Sequence, residues 1–324
     1  MPAVPLVRVV RSGLEESVHE GDVAVVDADG SLVAAAGDPD RPAYARSSMK
    51  PLQAAVSLSL APFDFPDDEV SVMCASHNAE PVHVRTVRSL LGRAGVDEAA
   101  LRCPSKLPMD EETALADPIR RPVNSDCSGK HGGMLAACTA QGWPLGSYRD
   151  PDHPLQRAVL ESVLLASGRS EVRVGVDGCG VPVHGMPIRA MATIYARLAS
   201  SGRLGDLEPH ARRAVAAMIA RPYLVAGRNR VDTAVMGARP GVGVKAGAEG
   251  MICAAIPDAG LGVALKVRDG SARATGPALI RALHLLGVLD EAAVEELEAF
   301  ARPAVLGGGE RAGDLVSDFE LAAP

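Results

Sequence analysis

Residues 47–60 read SSMKPLQAAVSLSL, and the apolar run that follows the lysine predicts a helix. Pro51 is tolerated only near the start of such a helix, so the helix begins close to Lys50. Residues three apart share a helix face, so Ser47 Oγ and Lys50 Nζ can meet. A desolvated lysine amine can take the proton of a serine hydroxyl and make it a nucleophile. The stretch therefore predicts a helix with a Ser-x-x-Lys nucleophile and base, although this pattern also occurs in chains without such chemistry.

Strands are predicted on both sides of a helical middle. Alternating apolar residues at 7–10, 23–27 and 31–36 predict antiparallel strands near the N-terminus. A short strand is also predicted at 70–74, ahead of the turn that holds Ser76. The remaining predicted elements are helices at 80–94, 127–141, 152–167, 188–199, 209–220, 276–286 and 291–300, a short strand at 172–176, and C-terminal strands at 251–256, 261–268 and 271–274.

This order of elements indicates an α/β (α+β) fold. We expect an antiparallel or mixed sheet built from the N- and C-terminal strands, with a helical lobe of roughly residues 80–220 inserted. No linker separates independent domains, so residues 1–324 are expected to form a single domain. Serine β-lactamases have a similar layout, with a Ser-x-x-Lys helix between the sheet and the helical lobe.

The composition excludes several classes of partner. Only 3% of the 324 residues are aromatic and the net charge is −7, which argues against a nucleic-acid partner. No apolar run is long enough to cross a membrane. The first 14 residues lack the pattern of a signal peptide, so we expect a cytoplasmic protein with reduced cysteines.

Ser76 and Lys245 are two further candidates for catalysis. Ser76 lies in a turn of small residues, where a side chain can face a cleft, although a serine that caps the next helix is the other reading. Lys245 is followed by Ala246-Gly247-Ala248, which leaves the backbone open to a ligand and resembles the Lys-Thr-Gly strand of β-lactamases. A surface lysine in a glycine-rich turn is the alternative for Lys245.

Two loop segments contain a cysteine framed by glycine and acidic residues, NSDCSGKHGG at 124–133 and GVDGCG at 175–180. Thiolates suit Zn²⁺, and Lys130 and His131 follow Cys127 closely enough to turn toward the same point. Histidine would be the conventional third ligand, while a neutral lysine amine is chemically possible when it is desolvated. Two buried, unreactive cysteines are the alternative reading.

Taken together, five segments make the chain resemble the L-asparaginase II family, the group that includes the inducible rhizobial asparaginases. They occur in the family's order and at compatible separations, and the resemblance extends over most of the chain. The segments are ARSSMKP at 45–51, CASH at 74–77, CSGKH at 127–131, DGC at 177–179 and KAGA at 245–248.

The resemblance implies a fold similar to that of serine β-lactamases and glutaminases, a homodimer, and the hydrolysis of L-asparagine to L-aspartate and ammonia. It also implies two Ser-Lys pairs, Ser47 with Lys50 and Ser76 with Lys245. We expect Ser47 to be the nucleophile because of its helical spacing to Lys50. Lys50, or Lys245 through Ser76, would be the base, and clustered lysines would lower the pKa of one another.

A zinc site is also implied by the resemblance. It would be held by Cys127, Lys130 and Cys179, with Asp177 beside it. From the chemistry of its side chain, Arg46 is expected to bind the substrate carboxylate in a bidentate fork, with a surface ion pair as the alternative.

Other functions fit the same motifs. A β-lactamase-like acylase could use the Ser47–Lys50 unit, and Ser76-His77-Asn78 fits the Ser-x-Asn step of that group. An enzyme of the same fold could prefer glutamine or a related amide. A non-enzymatic zinc-binding or amide-sensing protein, in which the serines are structural, is the third alternative.

Overall fold

The computed structural model describes residues 2–324, with strands at both ends of the chain and helices through most of its middle. The strands are β1 (Val4–Arg11), β2 (Leu14–Asp27), β3 (Leu32–Ala36), β4 (Pro42–Tyr44), β5 (Arg173–Val176), β6 (Pro182–Pro187), β7 (Gly243–Ala246), β8 (Met251–Ile256), β9 (Leu261–Val267), β10 (Ala304–Gly307) and β11 (Glu310–Val316). The helices are α1 (Lys50–Leu60), α2 (Asp67–Met73), α3 (Pro81–Arg93), α4 (Glu111–Ala116), α5 (Ser128–Gln141), α6 (Pro154–Ser167), α7 (Ile188–Ala199), α8 (Glu208–Ala220), α9 (Pro222–Val225), α10 (Val231–Ala238), α11 (Thr275–Leu285), α12 (Glu291–Glu296) and α13 (Glu298–Ala301).

The chain divides into two compact units. Unit 1 comprises the residues up to Ser48, Met186–Ala199 and Ala234–Pro324. Unit 2 comprises Met49–Gly185 and Ser200–Thr233. Among the helices of residues 2–324, none combines the length and the apolar character that crossing a membrane requires.

Unit 1 contains an antiparallel sheet of eight strands in the order β10-β11-β1-β2-β9-β8-β7, with β3 also paired to β2. The N-terminal and C-terminal strands meet directly, since Val9 of β1 is opposite Leu315 of β11 and Val23 of β2 is opposite Leu265 of β9. The first half of β2 pairs with β1, and its second half lies between β3 and β9. The predicted α/β fold, with a sheet built from both termini, is confirmed. The predicted strand at 271–274 is wrong, because Ala272–Ala274 form a 3₁₀ turn that leads directly into α11.

Helix α7 lies unusually close to the sheet of unit 1. A Cβ atom on Gly262 of β9 would come within 2.0 Å of the backbone oxygen of Ala192 in α7. The helix can therefore rest on β9 only because this position has no side chain.

Unit 2 is mostly helical. Helix α1 packs against α5, α6 and α8, and α2 packs against α3, α5 and α8. The predicted strand at 70–74 is wrong, because these residues belong to helix α2 or directly follow it. Pro66 at the N-cap and three acidic residues in the first turn favour a helix start here, and they outweigh the short apolar run.

Asp22 on β2 is the most deeply buried ion-paired carboxylate of unit 1. Its side chain is fully buried and accepts from Arg268 Nε at 2.9 Å and from the backbone N–H of Asp38 at 2.7 Å. Arg41 Nε lies 3.0 Å from Asp22 Oδ2, the oxygen that also accepts from Arg268 Nε. Because two guanidinium groups and one N–H converge on it, removal of this carboxylate leaves several donors without an acceptor.

We expect Asp22→Ala to lower the free energy of unfolding by about 3–5 kcal/mol, because the substitution removes one partner of a buried ion pair and leaves the other partner uncompensated. Urea denaturation measures the change. Asp40→Ala is the matched control, since Asp40 pairs with Arg189 at the surface and its loss should have little effect. Equal effects of the two substitutions would contradict the role given to Asp22.

Candidate active site

Lys50, the first residue of α1, is fully buried, and its ammonium group is enclosed by acceptors of unit 2. Nζ donates to the backbone oxygen of Ala75 at 2.6 Å, to Ser76 Oγ at 2.8 Å and to the backbone oxygen of Asp126 at 3.3 Å. A lysine ammonium has three N–H donors, so these three acceptors satisfy all of them. The structure thus brings together Lys50 and Ser76, two residues that the sequence assigned to different pairs.

The turn that carries Ser76 is held in place by a second segment of unit 2. The N–H of Ser76 donates to the carbonyl of Val225 at 2.9 Å, and the N–H of Asn78 donates to the carbonyl of Ala226 at 2.8 Å. Ser76 is only 6% exposed. These bonds hold the backbone of the turn, and Ser76 does not cap the next helix, since the N-cap of α3 is Glu80.

His77, between Ser76 and Asn78, is a neutral structural link that the sequence did not reveal. Its Nδ1 accepts from the N–H of Ala79, so Nε2 carries the proton and donates to Ser128 Oγ at 2.9 Å. Burial, together with the charges of His83 and Lys50, holds the pKa of His77 well below its usual range. The ring joins the Ser76 turn to the start of α5.

Asp126 is the counter-ion of this region. Its Oδ1 accepts from Lys106 Nζ at 2.6 Å, and its Oδ2 lies 4.0 Å from Lys50 Nζ. Burial opposes its ionisation, but the charges of Lys50 and Lys106 outweigh burial and hold the pKa of this carboxyl well below its usual range. Asp126 directly precedes Cys127, but the sequence predicts no role for it, because only the fold shows that two lysines reach its carboxylate.

Two cysteines and a lysine, Cys127, Cys179 and Lys130, lie together near the start of α5. Lys130 Nζ lies 3.0 Å from Cys179 Sγ, and the thiol of Cys127 is hydrogen-bonded to Cys179. That hydrogen bond and the charge of Lys130 hold the pKa of Cys179 far below its usual range despite burial, while the pKa of Cys127 is raised. Burial opposes the charge on Lys130, but the two cysteines outweigh it and raise the pKa of Lys130. The 3.0 Å contact and the directions of both pKa shifts favour an ammonium group on Lys130 beside a thiolate on Cys179.

This donor set fits a soft divalent cation only if the lysine takes part. Among residues 2–324, no three His, Cys, Asp or Glu side chains converge in a way that could hold a metal. His131 is close to Cys179, but its buried Nε2 makes no hydrogen bond of good geometry, and burial lowers its pKa to about 4. Two sulfur atoms and the Lys130 nitrogen are the set that a zinc ion would require here.

Gly129 allows the start of α5 to approach the end of α2. A Cβ atom at this position would come within 2.0 Å of the backbone oxygen of Val72. Since Cys127 and Lys130 flank Gly129, this close approach places both of them beside the segment that leads into the Ser76 turn. The Cys-Ser-Gly-Lys motif thus contains a packing requirement as well as possible ligands.

Asp177 lies in the turn that follows β5, with its Oδ2 3.8 Å from Cys179 Sγ. Its N–H donates to the carbonyl of Val181 at 2.9 Å, which closes the turn around Cys179. The structure therefore places Asp177 beside the two cysteines and the lysine.

The other sequence candidates lie in unit 1. Ser47 is half-buried in a 3₁₀ turn, Arg46–Met49, that precedes α1. The neighbouring hydroxyl of Ser48 is committed elsewhere, because it donates to the backbone oxygen of Lys245 at 3.1 Å. Lys245 itself is fully buried on β7, and its Nζ donates to the backbone oxygen of Ala246 at 2.6 Å.

A comparison with known protein families identifies the family to which this chain belongs. The family model of L-asparaginase II matches residues 7–317, nearly the whole chain. The chain belongs to the L-asparaginase II family. It is therefore an amidohydrolase with a small-molecule substrate.

Solved structures with some similarity to this L-asparaginase II family member have low sequence identity to it. Mglu is 16% identical, with 83% of this chain and 67% of that chain covered and a TM-score of 0.46. A β-lactamase from Mycobacterium bovis is 15% identical, with coverages of 86% and 94% and a TM-score of 0.43. A Bacillus glutaminase is 13% identical, with coverages of 83% and 91% and a TM-score of 0.46. A comparison with curated protein sequences found no match.

We expect Gly129→Ala to destabilise the protein by about 1–3 kcal/mol or more, because the new methyl group overlaps a backbone oxygen that cannot move freely. Urea denaturation measures the loss. Gly92→Ala in α3 is the control, since nothing lies within 4 Å of the added methyl group. It should be neutral or stabilising by up to about 1 kcal/mol. A Gly129→Ala protein as stable as the control would show that the close approach does not matter.

Proposed function

We propose that this protein hydrolyses L-asparagine to L-aspartate and ammonia through an acyl-enzyme. The observation that carries the proposal is the fully buried contact of 2.8 Å between Lys50 Nζ and Ser76 Oγ. Family membership supports an amide as the substrate class. The choice of asparagine over glutamine comes from the resemblance of the five motifs to the L-asparaginase II family.

The geometry around Lys50 favours Ser76 as the hydroxyl that it activates. A neutral amine has two N–H bonds and one lone pair. The carbonyls of Ala75 and Asp126 can accept only N–H bonds, so in the neutral amine they hold both of these. The lone pair is then left for the third partner, the Oγ–H of Ser76, and this is the arrangement a general base needs.

The reaction follows from that arrangement. Ser76 Oγ attacks the side-chain amide carbon of the substrate while its proton passes to Lys50. The resulting ammonium group returns a proton to the leaving nitrogen, the C–N bond breaks, and ammonia departs. Water then attacks the acyl-enzyme ester and loses a proton to Lys50. The bond between the acyl carbon and Ser76 Oγ breaks, L-aspartate is released, and Lys50 returns the proton to Ser76 Oγ.

Asp126 supports the charged intermediate of this cycle. Its carboxylate lies 4.0 Å from Lys50 Nζ and stabilises the ammonium form once the proton has been transferred. Lys106, which is partly exposed, neutralises the other side of the same carboxylate. The carboxylate therefore provides a fixed negative charge where positive charge develops.

The other predicted residues keep their proposed roles. Ser47 is the second candidate nucleophile, and Lys245 is the second candidate base. We propose that Arg46 binds the substrate carboxylate and that Asp177 is also a substrate-binding residue. We also expect a homodimer, as the family resemblance implies.

We further propose that Cys127, Lys130 and Cys179 hold a zinc ion. In its absence Lys130 is an ammonium group paired with the Cys179 thiolate, so metal binding requires the lysine to release its proton. A zinc ion with these three ligands keeps a fourth position at which it can polarise a bound water or substrate group. It would also join the start of α5 to the turn after β5.

The β-lactamase-like alternative is less well supported. It requires Asn78 of the Ser-x-Asn step to face a substrate. Both ends of the Asn78 side chain are already engaged, since Nδ2 donates to the carbonyl of Arg228 and Oδ1 accepts from Arg230. Asn78 therefore acts as a bridge between two segments of unit 2.

We expect Ser76→Ala and Lys50→Met to reduce kcat for L-asparagine by at least about 1000-fold, because each removes one member of the nucleophile–base pair. Ammonia release from L-asparagine and L-glutamine measures this. Ser57→Ala in α1 is a control, since its hydroxyl bonds only to its own helix. If Ser47→Ala is inactive while Ser76→Ala retains full activity, Ser47 is the nucleophile and our assignment of Ser76 is wrong.

Purified protein is expected to contain one zinc ion per chain, and Cys127→Ser and Cys179→Ser should each lose it. Elemental analysis after dialysis measures the content. Cys138→Ala is the control, because Cys138 is a buried cysteine further along α5. Zinc retained in both serine variants would rule out the proposed ligand set.

A further inference from the structure

Arg230 differs in its surroundings from the other arginine of the same loop. Arg228 is exposed and lies against three carboxylates, those of Glu112, Asp110 and Glu80. Arg230 is half-buried, and no carboxylate of residues 2–324 pairs with it. A guanidinium group that is partly withdrawn from water without a counter-ion carries a desolvation cost that an anionic ligand can offset.

Asn78 holds this guanidinium against the turn of the proposed nucleophile. Arg230 NH1 donates to Asn78 Oδ1 at 2.9 Å, and Asn78 lies two residues after Ser76. The same asparagine donates to the backbone oxygen of Arg228 at 2.8 Å, so its side chain is fixed from both ends. The position of Arg230 is therefore coupled to that of Ser76 through one short segment.

The charge of Arg230 reaches the centre of the site. Burial, followed by the charges of His83 and Lys50 and then that of Arg230, lowers the pKa of the His77 ring. Because Arg230 contacts Asn78, two residues from Ser76, a ligand group bound by Arg230 would lie near the turn that carries the reacting hydroxyl.

The chemistry of the guanidinium group indicates what it would bind. Five N–H donors lie in one plane, and only one of the NH1 donors is used by Asn78. The remaining donors can form the two parallel hydrogen bonds that a carboxylate accepts. Of the groups of an amino-acid amide, only the α-carboxylate has this shape and charge.

We propose that Arg230 binds the α-carboxylate of the substrate and thereby makes the enzyme prefer amides of free amino acids. This inference rests on the proposed function. In unit 1, Arg46 lies 3.9 Å from a carboxylate oxygen of Glu249, whereas Arg230 has no carboxylate partner.

The test compares two substrates, L-asparagine and its analogue in which the α-carboxylate is replaced by an uncharged amide. Arg230→Gln should raise KM for L-asparagine about tenfold or more, since a charge-assisted hydrogen bond is lost, while kcat changes little. KM for the uncharged analogue should be the same in wild type and variant. Arg230→Lys should recover part of the loss. Arg221→Gln, which removes a surface arginine paired with Asp68, should leave both KM values unchanged.

An unchanged KM for L-asparagine in Arg230→Gln, or an equal rise for both substrates, would overturn the inference. Failure of the proposed function gives a different result, because wild type would then release ammonia from neither substrate. In that case calorimetric binding of L-aspartate tests Arg230 alone, and about tenfold weaker binding in Arg230→Gln would still support it. Equal binding by the two proteins would overturn it.

Discussion

A lysine that is fully buried must find an acceptor for each of its N–H groups, because an unpaired charge in a protein interior is strongly destabilising. Lys50 meets this requirement with two backbone carbonyls and the Ser76 hydroxyl, and Asp126 supplies a compensating negative charge nearby. These partners come from the turn after α2 and from the residues just before α5. The local conformation of both segments therefore depends on the cation at the start of α1.

The same constraint links the proposed catalytic pair to the proposed metal ligands. Asp126 directly precedes Cys127, and Lys130 follows within the first turn of α5. His77 ties this helix start to the Ser76 turn through Ser128, and Gly129 lets the helix approach α2 closely. Positive and negative groups alternate through unit 2, from Lys106 and Lys50 around Asp126 to Lys130 beside the Cys179 thiolate. The buried lysines Lys50 and Lys130 thus each have a partner that can carry the opposite charge.

Much of the fold was predictable because the periodicity of apolar residues is a local property. The strands at both ends of the chain and the long helices between them follow from it, and the structure confirms this arrangement. The prediction was wrong at residues 70–74, where a run too short to show a period belongs largely to helix α2. There the acidic first turn was the better signal, since it stabilises a helix N-terminus.

The sequence by itself determined which residues are candidates for the chemistry, since Lys50, Ser76, Cys127, Lys130 and Cys179 were all recognisable from motifs. Spacing along one helix led to the pairing of Lys50 with Ser47, which are three residues apart. Only the tertiary structure showed that Lys50 contacts Ser76, 26 residues away, and that Asp126 and Arg230 belong to the same region. The physical reason is that burial, hydrogen bonding and charge compensation act between segments that are close in space, whereas a motif records only neighbours along the chain.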